Sequence, residues 1–284
     1  MLNERQKEMV AELRAAMLWI GRNTARAGKN IGNRAVELYR KVDPDVARHL
    51  FQVPLLGYSL FVSRVEEIAP GVPDGHPPII FVHGLGGSRG DFLLLSWYLR
   101  LLGRKRSYRI HFGAGQGVDD MAAALAAFIA QVKKVTGEPQ VEIVAHSIGG
   151  IVSRLVIDEC GLRDSVKTLI TLGTPHHGTY SARYANTENT RVLRPDSDLM
   201  KRLKTRPLPG GVRFVNFWSR SDLLVLPAES AIIEGAEHVD VTPFTHLSYL
   251  ISPKSWAAVG KILIADNSAQ WTAHSGQHTV DSGQ

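Results

Sequence analysis

The sequence predicts a doubly wound α/β fold, a mostly parallel sheet with helices on both faces, preceded by an N-terminal helical extension. Three observations predict it. Short continuous apolar runs, such as residues 78–82 and 141–145, have the texture of strands buried on both faces. They alternate with helix-patterned stretches, which implies right-handed crossovers between parallel strands. Residues 3–49, by contrast, carry helical periodicity alone.

In that extension Val10, Leu13, Met17 and Ile20 recur at helical spacing, and Ile31, Ala35, Leu38 and Val42 do so after a break at residues 21–32. Pro44 suits the start of a further short turn. The turn-rich Pro70-Gly71-Val72-Pro73-Asp74-Gly75 follows, and then the alternation begins. Strands are expected at 78–82, 108–112, 141–145, 166–172, 212–218 and 238–241. Helices are expected at 91–102, 118–135, 148–159 and 246–264. The extension therefore covers 1–62 and the main domain 63–265, with a Ser-, Gln-, Gly- and His-rich tail at 266–284 read as disordered. Residues 174–211 carry no strand pattern and many polar residues, and an excursion of that length between two strands suggests a cap or lid.

Composition narrows the classes of function. Of 284 residues 44% are hydrophobic and 21% charged, enough to bury a sizeable core. The single cysteine, Cys160, excludes an intrachain disulfide framework and fits a reducing compartment. The longest uncharged apolar stretches, 51–63 and 121–132, fall short of the ~18 residues that span a bilayer. Glu4, Glu8, Glu12 and Arg14 interrupt the start as no secretory leader would. A cytoplasmic protein is expected. Residues 1–50 hold ten Lys/Arg against six Asp/Glu, an excess that suits a solvated helix face or an anionic membrane surface. Nucleic acid is a poor partner, since no aromatic residues interleave with the basic ones and Arg104-Lys105-Arg106 belongs to no reading motif. The apolar stripe of the extension needs cover from its own domain, from lipid, or from a second copy in a homo-oligomer.

The sharpest motif is Val141-Glu142-Ile143-Val144-Ala145-His146-Ser147-Ile148-Gly149-Gly150, a buried strand running into a helix with serine at the corner. A serine there also suits a plain helix cap. The corner nevertheless resembles the nucleophile elbow of the α/β-hydrolases, whose tight turn requires small residues two before and two after the serine. Ala145 and Gly149 meet that need, with Ala where the commoner pattern has Gly. Further segments strengthen the resemblance to bacterial lipases and esterases of this superfamily, over about residues 77–264. Phe81-Val82-His83-Gly84-Leu85-Gly86-Gly87-Ser88 stands where the family places its oxyanion loop, and Thr171-Leu172-Gly173-Thr174-Pro175-His176-His177-Gly178-Thr179 is similar to a lipase segment.

The resemblance implies Ser147 as nucleophile and the backbone N–H groups of Leu85 and Ile148 as oxyanion donors. It implies Asp222, just past the strand at 212–218, as the acid, with Glu229, Glu234, Glu237 and Asp240 as nearby rivals. His246 is the implied base, because His238 lies in a strand and His274 and His278 lie in the tail. His83 and His146 are read as fixing backbone or buffering the site rather than as bases. His176-His177 has no evident third ligand, so no metal is expected, and Ser248 stands where some related lipases carry a calcium-binding Asp. The implied activity is a lipase-like carboxylesterase acting without cofactors on an ester with an apolar acyl chain. Thioesterase or acyltransferase chemistry on the same residues, and a non-catalytic hydrolase-like binding protein, are the alternatives.

Overall fold

The computed structural model describes residues 68–113 and 115–265, together with Glu4. The expected helical extension, the start of the main domain at 63, and the tail at 266–284 lie outside the described residues. Six strands, β1 (Ile79–Val82), β2 (Ser107–Arg109), β3 (Val141–His146), β4 (Val166–Leu172), β5 (Arg213–Trp218) and β6 (Glu237–Asp240), form one sheet in the order β2-β1-β3-β4-β5-β6. Every pairing is parallel. The chain steps outward from β1 to β2 and then returns past β1 to β3, which makes the crevice between β1 and β3 the topological switch point.

Helices α1 (Leu93–Leu101), α2 (Val118–Thr136), α3 (Ile148–Asp158), α4 (Glu188–Val192), α5 (Asp198–Lys204), α6 (Ser248–Ile251) and α7 (Pro253–Ile264) complete the described elements. Side chains alternate between the faces of a strand, so β1 sends Ile80 and Val82 to one core and Ile79 and Phe81 to the other. The first core packs α2 and α3 through Leu125, Ile129, Ile151 and Leu155. The second packs α1, α6 and α7 through Leu95, Leu99, Tyr249 and Val259. Glu142, on the otherwise apolar β3, is buried because Arg104 meets it at 2.5 Å. The same guanidinium donates to the carbonyls of Pro77 and Leu263 at 2.8 and 2.7 Å, which satisfies a charge pair that burial alone would penalise.

Three elements depart from the sequence expectation. The helix at 91–102 opens as a 3₁₀ turn, Arg89–Phe92, because Ser88 and Asp91 form a reciprocal capping box ahead of α1. The second strand is shorter and earlier than 108–112. Ile110 still donates to Phe81, but pairing ends there. The single helix expected at 246–264 is two helices, α6 and α7. Pro253 disfavours the helical conformation in Ser252, which is extended at φ −82°, ψ 125°, and Pro253 then takes the first position of α7. The 174–211 stretch holds a 3₁₀ turn at Tyr180–Tyr184 followed by α4 and α5.

Candidate active site

Ser147 sits between β3 and α3 with φ 54° and ψ −128°, the only non-glycine residue with positive φ among the described residues. Such a conformation costs on the order of 1–3 kcal/mol and persists only where its surroundings enforce it. Here they do. The Ser147 amide donates to Leu172 on the adjoining strand at 3.0 Å, and its carbonyl accepts from Gly150 N–H and from the Thr174 hydroxyl at 3.0 and 2.9 Å. Gly149 must lack a side chain, since a Cβ there would lie 2.6 Å from the Val82 carbonyl and 2.8 Å from that of His83.

The loop after β1 packs directly on this corner. A Cβ on Gly84 would come within 2.9 Å of both the His146 ring and the Ser147 side chain, so glycine sets the approach. The loop is pinned by His83. Because the Phe112 amide can only donate, the His83 Nε2 it reaches at 3.2 Å is the acceptor, and Nδ1–H donates to the Gly84 carbonyl at 2.9 Å. Burial lowers the His83 pKa, in keeping with a neutral ring. Leu85 follows on this loop beside Ser147, and Ile148 opens α3, where first-turn amides have no intrahelical partner.

Asp222 is fully buried in the turn after β5. Its Oδ1 accepts from the Leu224 and Val225 amides at 2.9 and 3.3 Å, and its Oδ2 accepts from His246 Nδ1 at 2.8 Å. A neutral His246 protonated at Nδ1 carries its lone pair on Nε2. His246 and Ser147 line one cavity of about 240 Å³, with Leu85, Leu193, Leu224 and Leu247 among its apolar walls. The expected cap segment contributes Pro175, Ala182 and Leu193 to that lining. The rival carboxylates are placed elsewhere. Glu229 and Glu234 are exposed, Glu237 binds Arg213 through both oxygens, and Asp240 binds Arg220 and Thr242.

His146 ties the serine corner to the histidine loop, its Nε2–H donating to the His246 carbonyl at 2.9 Å. Burial, aided by the neighbouring His246, lowers its pKa from 6.5 to about 3. The buried His176 ring, also held well below its ordinary value by burial, meets the Thr171 hydroxyl, which in turn donates to Asn216. Among the described residues no three of His, Cys, Asp and Glu group as metal ligands. Ser248 bonds its hydroxyl to Thr245 at 2.9 Å.

A lowered histidine pKa means that the unfolded chain binds a proton the folded one refuses, so stability rises with pH across the window from about 3 to 6.5. It is present above 6.5 and lost as pH falls. We expect the depressed His146 ring to cost about 2 kcal/mol between pH 7 and pH 5, with His176 acting in the same direction. Urea unfolding at the two values measures it, and equal stabilities would mean that His146 and His176 protonate without unfolding.

Three residues that matter here escaped the sequence reading. Thr174 lay within the singled-out 171–179 stretch but carried no mark of its bond to Ser147. Thr179 accepts from Leu226 N–H and donates to the Leu224 carbonyl, joining the 174–211 segment to the turn that holds Asp222. Tyr249 lies fully buried beside Gly173 and Asp222. Burial first, and the Asp222 charge second, push its phenol well above the ordinary value.

Comparison with known proteins places this architecture. The palmitoyl protein thioesterase family model matches residues 78–220, half of the chain. Triacylglycerol lipases of Pseudarthrobacter phenanthrenivorans and Burkholderia plantarii are each 28% identical over 115 residues, covering 38% of this chain and 35% and 32% of theirs. The chain thus spans about a third of the length of these curated relatives. The mature Bacillus licheniformis lipase BlEst2 superposes with a TM-score of 0.57 at 21% identity, covering 68% of this chain and 96% of that one. Aspergillus fumigatus lipase B gives 0.60 at 18%, covering 66% and 52%. Both show the fold. A strained serine at the switch point of a parallel sheet, inside a segment that the family model matches from β1 to the turn after β5, settles the kinship: the chain belongs to the palmitoyl protein thioesterase family of α/β-hydrolases.

Proposed function

We propose that this chain is a serine hydrolase that cleaves carboxylic esters with an apolar acyl part through an acyl-enzyme. The observation that carries the reading is the strained Ser147, lining one cavity with a histidine whose other ring nitrogen is held by a buried aspartate. His246 Nε2 takes the Ser147 proton as Oγ bonds to the ester carbonyl carbon. The oxyanion rests on the Leu85 and Ile148 amides, each supplying about 3 kcal/mol to the transition state. As the carbon–oxygen bond to the alcohol breaks, the imidazolium returns that proton to the leaving oxygen. Water, deprotonated by the same nitrogen, then releases the acid and restores the serine. Asp222 stabilises the imidazolium in both halves. The chain's own groups and water balance every step.

The family to which the chain belongs favours a second reading, thioester hydrolysis on the same residues. The acyl pocket would be common to both. At about 240 Å³ it lies below the roughly 300 Å³ lower end for drug-sized ligands. Short acyl chains should therefore turn over faster than long ones.

A fluorophosphonate probe should label the wild-type chain and not Ser147→Ala. A p-nitrophenyl ester series should peak at butyrate or octanoate rather than palmitate. Matched acyl thioesters then decide the leaving atom. Equal labelling of the two proteins would end the hydrolase reading, and a preference for thioesters would select the second.

A further inference from the structure

We propose that the outer face of α1 and the cleft beside it form a docking surface for an anionic lipid membrane. α1 buries Leu95 and Leu99, so its opposite side should be polar. Instead Leu94, Trp97 and Leu101 stand 50%, 59% and 65% exposed there, at the i, i+3, i+7 spacing of one stripe, and Leu102 extends it. A contiguous apolar ridge of this kind on a soluble surface marks a contact site.

Next to the ridge a cleft of about 360 Å³ wraps the β2 edge of the sheet, lined by Ser96 and Arg100 of α1 and by Lys105, Tyr108 and Arg109. No carboxylate lines it among the described residues. Residues 85–109 hold six basic residues, Arg89, Arg100, Arg104, Lys105, Arg106 and Arg109, and one acid, Asp91. Arg104 is paired with Glu142 and Arg106 with Glu138 and Asp74, whose carboxylate also accepts the Lys105 amide, whereas the Arg100 and Lys105 side chains stand exposed at the surface.

Charge selects the occupant. Residues 1–50 of the chain itself, with ten Lys/Arg against six Asp/Glu, would bring positive charge onto a positive surface, and so would a second copy of this face. An anionic bilayer accepts all of it. Trp97 suits the headgroup level, Leu94 and Leu101 reach the acyl boundary, and Arg100 and Lys105 meet lipid phosphates. Arg100 and Lys105 stand where α1 ends and β2 begins, at the edge of the sheet where β1 starts, whereas Ser147 follows the far end of β3. The proposal does not rest on the hydrolase reading, since lipid binding itself needs no catalysis.

The test is sedimentation of the full chain, carrying Ser147→Ala to prevent turnover, with vesicles of phosphatidylcholine alone or mixed with phosphatidylserine. Binding should require phosphatidylserine and weaken with salt. Arg100→Gln and Lys105→Gln should each reduce it about fivefold, and the pair about 25-fold. Trp97→Ser should reduce it roughly tenfold. In the otherwise wild-type chain these substitutions should leave turnover of a water-soluble ester unchanged, which certifies the fold.

Binding that ignores phosphatidylserine, or that survives all three changes, overturns the proposal. So does a Trp97→Ser protein that loses thermal stability or dimerisation while still binding vesicles, because the chain's own N-terminal segment or a second copy would then cover the ridge. Absence of ester turnover in the unsubstituted chain, with its vesicle binding intact, would strike the hydrolase reading and leave this one standing.

Discussion

Ser147→Ala is expected to lower kcat by on the order of 10⁶ while leaving the fold intact, as removing the nucleophile of a unit that works together does elsewhere. The backbone adds a second expectation. At φ 54° and ψ −128° any side chain is strained, whereas glycine occupies positive φ freely. Ser147→Gly should therefore be as inactive as Ser147→Ala but more stable, by roughly 1 kcal/mol. Steady-state ester hydrolysis and thermal melts of the three proteins measure both. A loss of activity under tenfold in Ser147→Ala would mean that the reaction belongs to another residue. Equal melting of the Ala and Gly proteins would mean that the corner is less constrained than its φ implies.

Asp222→Asn should cost on the order of 10⁴ in kcat with little change in stability. The hydrogen bonds around the carboxylate give the reason. Oδ1 accepts two backbone amides, from Leu224 and Val225, so an asparagine would keep its oxygen on that side. Its NH₂ group would then face His246 Nδ1 in place of Oδ2. The imidazole must answer with a lone pair at Nδ1 and place its proton on Nε2, the nitrogen that has to receive the Ser147 proton. A tautomer is exchanged without a change of shape, so fluorophosphonate labelling should slow in parallel with ester hydrolysis while the melting temperature holds. Wild-type turnover in this variant would transfer the acid's role to another carboxylate.

The sequence exposed what local pattern can carry. An apolar run such as Val166–Leu172 is a strand wherever it is buried on both faces, and its expected bounds coincide with the observed ones. The serine corner was legible because close packing forces glycine at 149 and a small residue at 145, and packing constraints of that kind print directly onto residue type. Asp222 and His246 were found through family order along the chain. Their hydrogen bond spans 24 residues, and no periodicity announces it.

What stayed hidden depends on partners remote in sequence or on competing local terms. From the sequence His146 is read as fixing backbone, but the carbonyl it holds belongs to His246, 100 residues away, and no local pattern names that partner. Tyr249 reads as the fourth position of the helix expected at 246–264 until the fold sets it beside Asp222. The split at Ser252 follows from Pro253, a signal that the expected single helix at 246–264 leaves out.

The guanidinium of Arg104 draws together the carbonyls of Pro77 and Leu263, residues from opposite ends of the hydrolase fold. Those two chain positions are already neighbours. A short peptide can bridge them while new ends are cut in an exposed turn such as that at Gly137. Circular permutation of this domain would thus demand no new geometry, transposing the flanks while every strand keeps its neighbours.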